Sequence, residues 1–187
     1  MEYPSQTKQQ LANSLKELMS HTPFNKITVQ NVTNNCGLNR QTFYYHFKDM
    51  YELLSWIYNN EIFNQVVEER DEPWETAALK VIRYCKANRA FCRNTIRSLK
   101  KEAMESYLQP VVHNWVEKLG IDIVNNKYIS KEDAKFLVDF FTLAFVNYGI
   151  QWISRGMPED EDFLIGKIKA LLRMIYHGTE KQKRIAI

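Results

Sequence analysis

Residues 28–49 read TVQNVTNNCGLNRQTFYYHFKD, and the order of polar caps, glycine and aromatics in that run implies two short helices joined by a tight turn. Thr28 is placed to cap the first, whose buried side is Ile27, Val29 and Val32. Cys36-Gly37-Leu38 is the break, because Gly37 takes a positive φ at no steric cost. Asn39 is then a good cap for a helix over Arg40–Phe47. This is the pattern of a helix-turn-helix, whose second helix enters the major groove with its N-terminal residues at the base edges. Arg40 can bond guanine O6 and N7 together, and Gln41 can bond adenine N6 and N7. Thr42, Tyr45, His46 and Lys48 can donate to phosphates. Phe43 and Phe47, four apart, share a helix face and read as core, whereas the adjacent Tyr44 and Tyr45 cannot both face that core.

Outward from this run the chain reads as helices with short connections. Toward the N-terminus, Leu11, Leu15, Leu18 and Met19 make one apolar stripe, with Ser5 or Thr7 as cap and Pro23 beyond the end. Toward the C-terminus, Asp49 caps a long linking helix to about residue 70 that carries Leu53, Leu54, Ile57, Tyr58 and Ile62. Asp71-Glu72-Pro73 is a stop and restart, after which Ala77, Ala78, Val81, Ile82 and Cys85 keep helical spacing. Two helices are expected over Arg89–Lys100 and Glu102–Leu119, with a kink at Pro110 and a stop at Gly120. Ser130–Asp133 resembles a capping box and opens a helix to about Arg155 that is apolar over much of its circumference. Gly156 and Pro158 precede a last helix that begins in Glu159–Asp162, with a basic tail of Lys181, Lys183 and Arg184 expected to be disordered. The fold expected is all-α, about nine helices: a helix-turn-helix domain over residues 1–48 and a helical regulatory and dimerisation domain over residues 49–187.

Composition bounds the function. A net charge of +3 does not by itself announce nucleic acid, although residues 1–48 alone carry +3 from five basic and two acidic side chains. Three cysteines without a C-x-x-C pair fit reduced thiols in the cytoplasm. The most apolar stretch, Phe140–Val146, is far short of the roughly 20 residues that span a bilayer, so no membrane partner is expected.

The elements Ile27-Thr28-Val29, Gly37-Leu38, Thr42-Phe43-Tyr44-Tyr45-His46-Phe47-Lys48-Asp49 and Leu53-Leu54 strongly resemble the N-terminal domain of the TetR family of regulators. The close likeness covers about residues 5–58. It implies base contacts by Gln30, Arg40, Gln41 and Tyr44, and phosphate contacts by Thr28, Thr42, Tyr45, His46 and Lys48. Met50 stands where many members carry Lys or Arg, which removes a backbone contact commonly made there. The resemblance also implies a homodimer on a pseudo-palindromic operator, joined through the last two helices with Phe141, Phe145, Tyr148, Gly149 and Trp152 at the interface. Arg40–Phe47 with Leu53-Leu54-Ser55-Trp56-Ile57-Tyr58 looks like a subgroup, the activators of dihydroxyacetone-kinase operons and their relatives, in which a kinase-like partner protein senses the metabolite.

A small-molecule effector or a co-regulator protein therefore acts through the C-terminal domain in this reading, with no cofactor and no metal. The alternative is a helical protein-interaction module that has lost DNA binding. An enzyme is not expected, since the only nucleophile–base pairing to nominate is Cys85 with His113. Arg89, Arg93, Arg97 and Lys101 recur every four residues as a basic stripe, either a solvated face or a surface for an acidic partner or anionic ligand. Cys85 and Cys92 read as buried small hydrophobes.

Overall fold

Short-range caps start the first helices of the chain, as a computed structural model describing residues 6–63, 73–119 and 130–185 shows. Helix α1 (Gln6–Met19) places Leu11, Ala12, Leu15 and Met19 in the core. It begins ahead of Thr7, which therefore lies inside the helix; Ser5 is outside the described residues. A 3₁₀ turn (Phe24–Lys26) leads to α2 (Val29–Asn35). Thr28 Oγ1 accepts from Asn31 N at 3.2 Å while Thr28 N donates to Asn31 Oδ1 at 2.9 Å, a reciprocal capping box built with asparagine. Helix α3 (Arg40–His46) starts where Asn39 Oδ1 accepts from Thr42 N at 2.8 Å. Helix α4 (Met50–Tyr58) starts where Asp49 accepts from Glu52 N at 2.9 Å, and it widens into a π turn over Asn59–Phe63. The continuation of the linking helix over residues 64–70 lies outside the described residues, as do Asp71 and Glu72.

The body follows with α5 (Trp74–Ala87), α6 (Arg89–Ser98), α7 (Lys101–Leu119), α8 (Lys131–Ser154) and α9 (Glu161–Ile185). No strand occurs among the described residues. Pro73 sits just before α5 with φ −54° and ψ 137°. Helix α7 runs through Pro110 as one element, and Gly120 lies outside the described residues. The Ser130 cap is as expected, its hydroxyl accepting from Asp133 N at 3.0 Å. Helix α9 extends to Ile185, so the backbone of Lys181, Lys183 and Arg184 is helical rather than a loose tail.

Helix α8 is longer than its most apolar stretch, and by length and composition alone it passes as a membrane-crossing segment. One side of it packs on α6 and α7, with Val138, Thr142, Val146 and Trp152 buried. Thr142 returns its hydroxyl to Val138 O at 2.7 Å, so the buried polar group is satisfied within the helix. The break after α8 needs glycine: Gly156 has φ +91°, and a Cβ there would sit 3.0 Å from the Arg89 guanidinium, which donates to Gly156 O.

A single apolar cluster runs from α1 through α3 and α4 into α5, α6, Trp152 and the start of α9. Phe43 and Phe47 are its centre in the N-terminal helices, as their four-residue spacing required. Cys85 and Cys92 are buried in it and hydrogen-bonded to each other. That bond and burial both hold the Cys85 thiol above its ordinary pKa, which suits packing rather than nucleophilic chemistry.

Candidate nucleic-acid interface

The turn between α2 and α3 is closed by Leu38 N donating to Thr33 O at 2.8 Å, with Gly37 at φ +70°. That left-handed residue ends α2 and lets α3 leave at an angle three residues later. Behind the pair, Ser14 of α1 donates to Val32 O at 2.8 Å, and Asn35 donates to Ser14 Oγ at 3.2 Å and Glu17 Oε2 at 3.0 Å. Nothing in the periodicity pointed to Ser14 or Asn35. Their partners lie 18 and 21 residues away, so only a cluster of short polar residues was visible in the sequence.

With Phe43 and Phe47 inside, the other faces of α3 turn outward. Arg40, Gln41, Tyr44 and Tyr45 are exposed, Tyr44 at 52% and Tyr45 at 85%. Of the adjacent tyrosines, neither is core, so the pair is more exposed than the minimum the sequence required. Arg40 lies over the Tyr44 ring, 5.9 Å from its centroid, and its guanidinium is 3.4 Å from the Tyr44 hydroxyl. This cation–π contact orders a long side chain that is otherwise free in solvent. Tyr45 meets the His46 ring edge-on at 4.9 Å.

Gln30 on α2 is exposed and donates to Asn34 Oδ1 at 2.5 Å, so it must release that bond to reach a base. Thr28 and Thr42 spend their hydroxyls on local bonds, to Asn31 and Asn39 Oδ1 respectively. Because a phosphate oxygen only accepts, each hydroxyl must release that bond to hold one. Lys48 is exposed, and its backbone N–H is tied to Glu52 Oε2 at 2.5 Å. Met50 is half-buried against the core, so the start of α4 supplies packing instead of a cation.

Cys85 and His113, the one nucleophile–base pairing the sequence could nominate, are engaged elsewhere. His113 lies 3.6 Å from Asp139 of α8 and 3.9 Å from Glu117, whereas the Cys85 thiol faces Cys92. These are separate neighbourhoods, and the described residues hold no cluster of three potential metal ligands.

The proposed interface residues divide in the same way. Trp152 is only 4% exposed and packs in the chain's own core. Phe141 and Phe145 are half-buried, and Phe145 meets the Trp115 ring at 5.6 Å. Tyr148 is exposed, and a Cβ on Gly149 would meet nothing within 4 Å. The exposed large apolar residues of α8 are Phe136 (65% exposed), Phe140 (54%), Leu143 and Tyr148, and α9 separately exposes Phe163, Leu171 and Met174. An all-round apolar helix gave the sequence no period from which to choose between its faces.

The residue pattern of the bacterial regulatory proteins of the tetR family matches residues 13–56, and that of a transcriptional regulator C-terminal region of the same family matches residues 72–174, over half the chain. The chain belongs to the TetR family. This regulator is similar to the HTH-type dhaKLM operon transcriptional activator DhaS of Lactococcus lactis subsp. lactis (strain IL1403), 31% identical over 86 residues. That alignment covers 46% of this chain and 46% of the relative, about half the length of each. In fold the regulator is similar to a solved dihydroxyacetone kinase operon activator DhaS, with a TM-score of 0.75, 23% identity, and 90% of this chain and 95% of the other covered. A TerR/AcrR-family regulator from Aquifex aeolicus VF5 has a TM-score of 0.61 at 17% identity, covering 90% and 99%. Its family and relatives are transcription regulators, not enzymes.

Proposed function

We propose that the regulator binds a pseudo-palindromic operator as a homodimer, with residues 1–48 as the reading head and residues 49–187 as a body that dimerises and receives the signal. The carrying observation is α3. Its Phe43 side is buried, its cap is made by Asn39, and Arg40, Gln41 and Tyr44 are exposed, with Arg40 resting over the Tyr44 ring. Arg40 and Gln41 read base edges with Tyr44 and, once its bond to Asn34 is released, Gln30. Thr28, Thr42, Tyr45, His46 and Lys48 hold the phosphates and set the register. Two such heads in a symmetric dimer read half-sites about one turn apart, on the order of 34–36 Å.

The apolar face of α8 and α9 supports the dimer. Phe136, Phe140 and Leu143 fall within about 60° of one another around an ideal helix, and Phe136 stacks on Phe140 at 6.1 Å. So large an aromatic stripe is costly in water and is covered by the same stripe of a second copy. Tyr148 lies to one side of the stripe, and Phe141, Phe145 and Gly149 lie round the helix from it. The likeness to DhaS supports activation of a kinase operon as the regulatory outcome, under control of a small-molecule effector or a co-regulator protein. The three free thiols fit work in the cytoplasm.

The test is a titration of the chain's own upstream DNA across a range of salt. Specific binding whose logarithmic affinity falls linearly with the logarithm of salt is expected. No salt-sensitive duplex affinity at all identifies instead a helical interaction module that has lost DNA binding.

A further inference from the structure

The basic stripe of α6 does not end in plain solvent. Arg93 and Arg97, one turn apart, line a cleft of about 500 Å³ between α6 and the segment Met19–Asn25 that joins α1 to α2. Ser20, His21, Thr22, Asn25, Asn94 and Ser98 complete its polar lining, and no Asp or Glu lines it. The other arginines of the body that face neighbours have partners. Arg83 pairs with Glu161 at 2.8 Å, Arg155 with Glu159 at 3.2 Å, and Arg89 donates to Gly156 O. Neither Arg93 nor Arg97 forms an ion pair among the described residues, and Arg93 Nε is buried with no hydrogen-bond partner. The Arg93 guanidinium lies close to that of Arg89 near Gly156, so positive charge is crowded along this side of α6, and an anion in the adjoining cleft offsets that repulsion.

We propose that this cleft binds a small phosphate-bearing organic molecule. Two guanidinium forks at i and i+4 sit about 5–6 Å apart at their Cβ atoms, close enough to share one phosphate, and planar forks match phosphate oxygens two at a time. His21 and Asn25 face the same space from the opposite wall, and the volume leaves room for a short carbon skeleton beyond the phosphate. The two walls belong to different parts of the molecule. Asn94, between the arginines, already donates to Met19 O at 2.7 Å and Thr22 O at 2.6 Å and accepts from Phe24 N at 2.9 Å. A ligand seated beside it adds to that bridge, so occupancy fixes the reading head against the body. That consequence for DNA rests on the regulator proposed above; the site itself does not.

The experiment is a titration of the full-length chain, free of DNA, with inorganic phosphate and then with phenyl phosphate, followed by amide and arginine side-chain NMR. Saturable shifts are expected at Asn25, Arg93, Asn94, Arg97 and Ser98, tighter for the organic phosphate. Arg97→Gln, at an exposed position, weakens binding on the order of tenfold, the loss of one charge-assisted hydrogen bond. Arg93→Gln abolishes it, provided its unliganded spectrum is that of a folded protein. Shifts confined to Arg40–Lys48, shifts that never saturate, or binding indifferent to Arg97→Gln overturn the site. Failure of operator binding both without phosphate and with saturating phenyl phosphate counts against the regulator and leaves this titration as it stands.

Discussion

In the helix-turn-helix, Thr28, Asn39 and Asp49 each accept from a backbone N–H three residues ahead. At the joint with the body, by contrast, Asn94 reaches back 70 to 75 residues to three backbone groups of the α1–α2 connection. Beside it, Glu61 gathers Lys16 at 2.5 Å and the Tyr84 hydroxyl at 2.6 Å, and Tyr58 donates to Thr95 Oγ1 at 2.9 Å. The head is thus shaped by local bonds that survive any movement of its surroundings. Its aim is set by a polar seam from distant parts of the chain. On the proposed function, that division keeps the reading surface intact while leaving its placement open to change.

The largest expected effect separates the two. Asn94→Ala leaves two carbonyls and an N–H without their partner and costs about 1–3 kcal/mol in chemical denaturation. Amide exchange should rise over residues 19–27 and little over α2 and α3. Equal opening throughout the head would show that joint and head are one unit. Next, Asn39→Ala removes only a local cap and costs about 0.5–2 kcal/mol, whereas Asn39→Gly costs a few tenths. Its exchange signature belongs to the first turn of α3, and a loss that spreads to α5 or α6 would break the comparison from the other side.

The smallest effect is a pH dependence at the seam. Burial, then the bond to the Glu61 carboxylate, push the Tyr84 phenol well above its ordinary value. Burial does the same to Tyr58, with the neighbouring Cys92 adding to it. A raised folded pKa means stability that is complete below the unfolded value, about 10, and is lost as pH rises past it. Tyr84→Phe should therefore show a shallower alkaline fall in melting temperature than the parent, with the pH 7 value lowered only modestly. An identical alkaline slope in both proteins would place the titration elsewhere.

The same division decides what was legible in the sequence. The caps at Thr28, Asn39, Asp49 and Ser130, the turn at Gly37 and the inward Phe43 and Phe47 follow from residue type and spacing within one or two turns, and each lies where the sequence puts it. Asn94, Ser14 and Glu61 were silent, because a lone polar residue does not announce a partner many turns away. The burial of Trp152 was hidden for a different reason. Helix α8 is apolar on both sides, so its buried face is chosen by α6 and α7 and not by its own pattern. The basic stripe of α6 was visible, but only packing against Met19–Asn25 turned it into a cleft.

The central claim is that the free end of α3 reads bases, and it is tested most directly by measuring Arg40→Ala on operator and on random duplex in parallel. The loss predicted is about 1–3 kcal/mol on the operator, with relaxed preference at one position and little change on random sequence. Equal losses on both duplexes would contradict it, reducing Arg40 to one more phosphate contact.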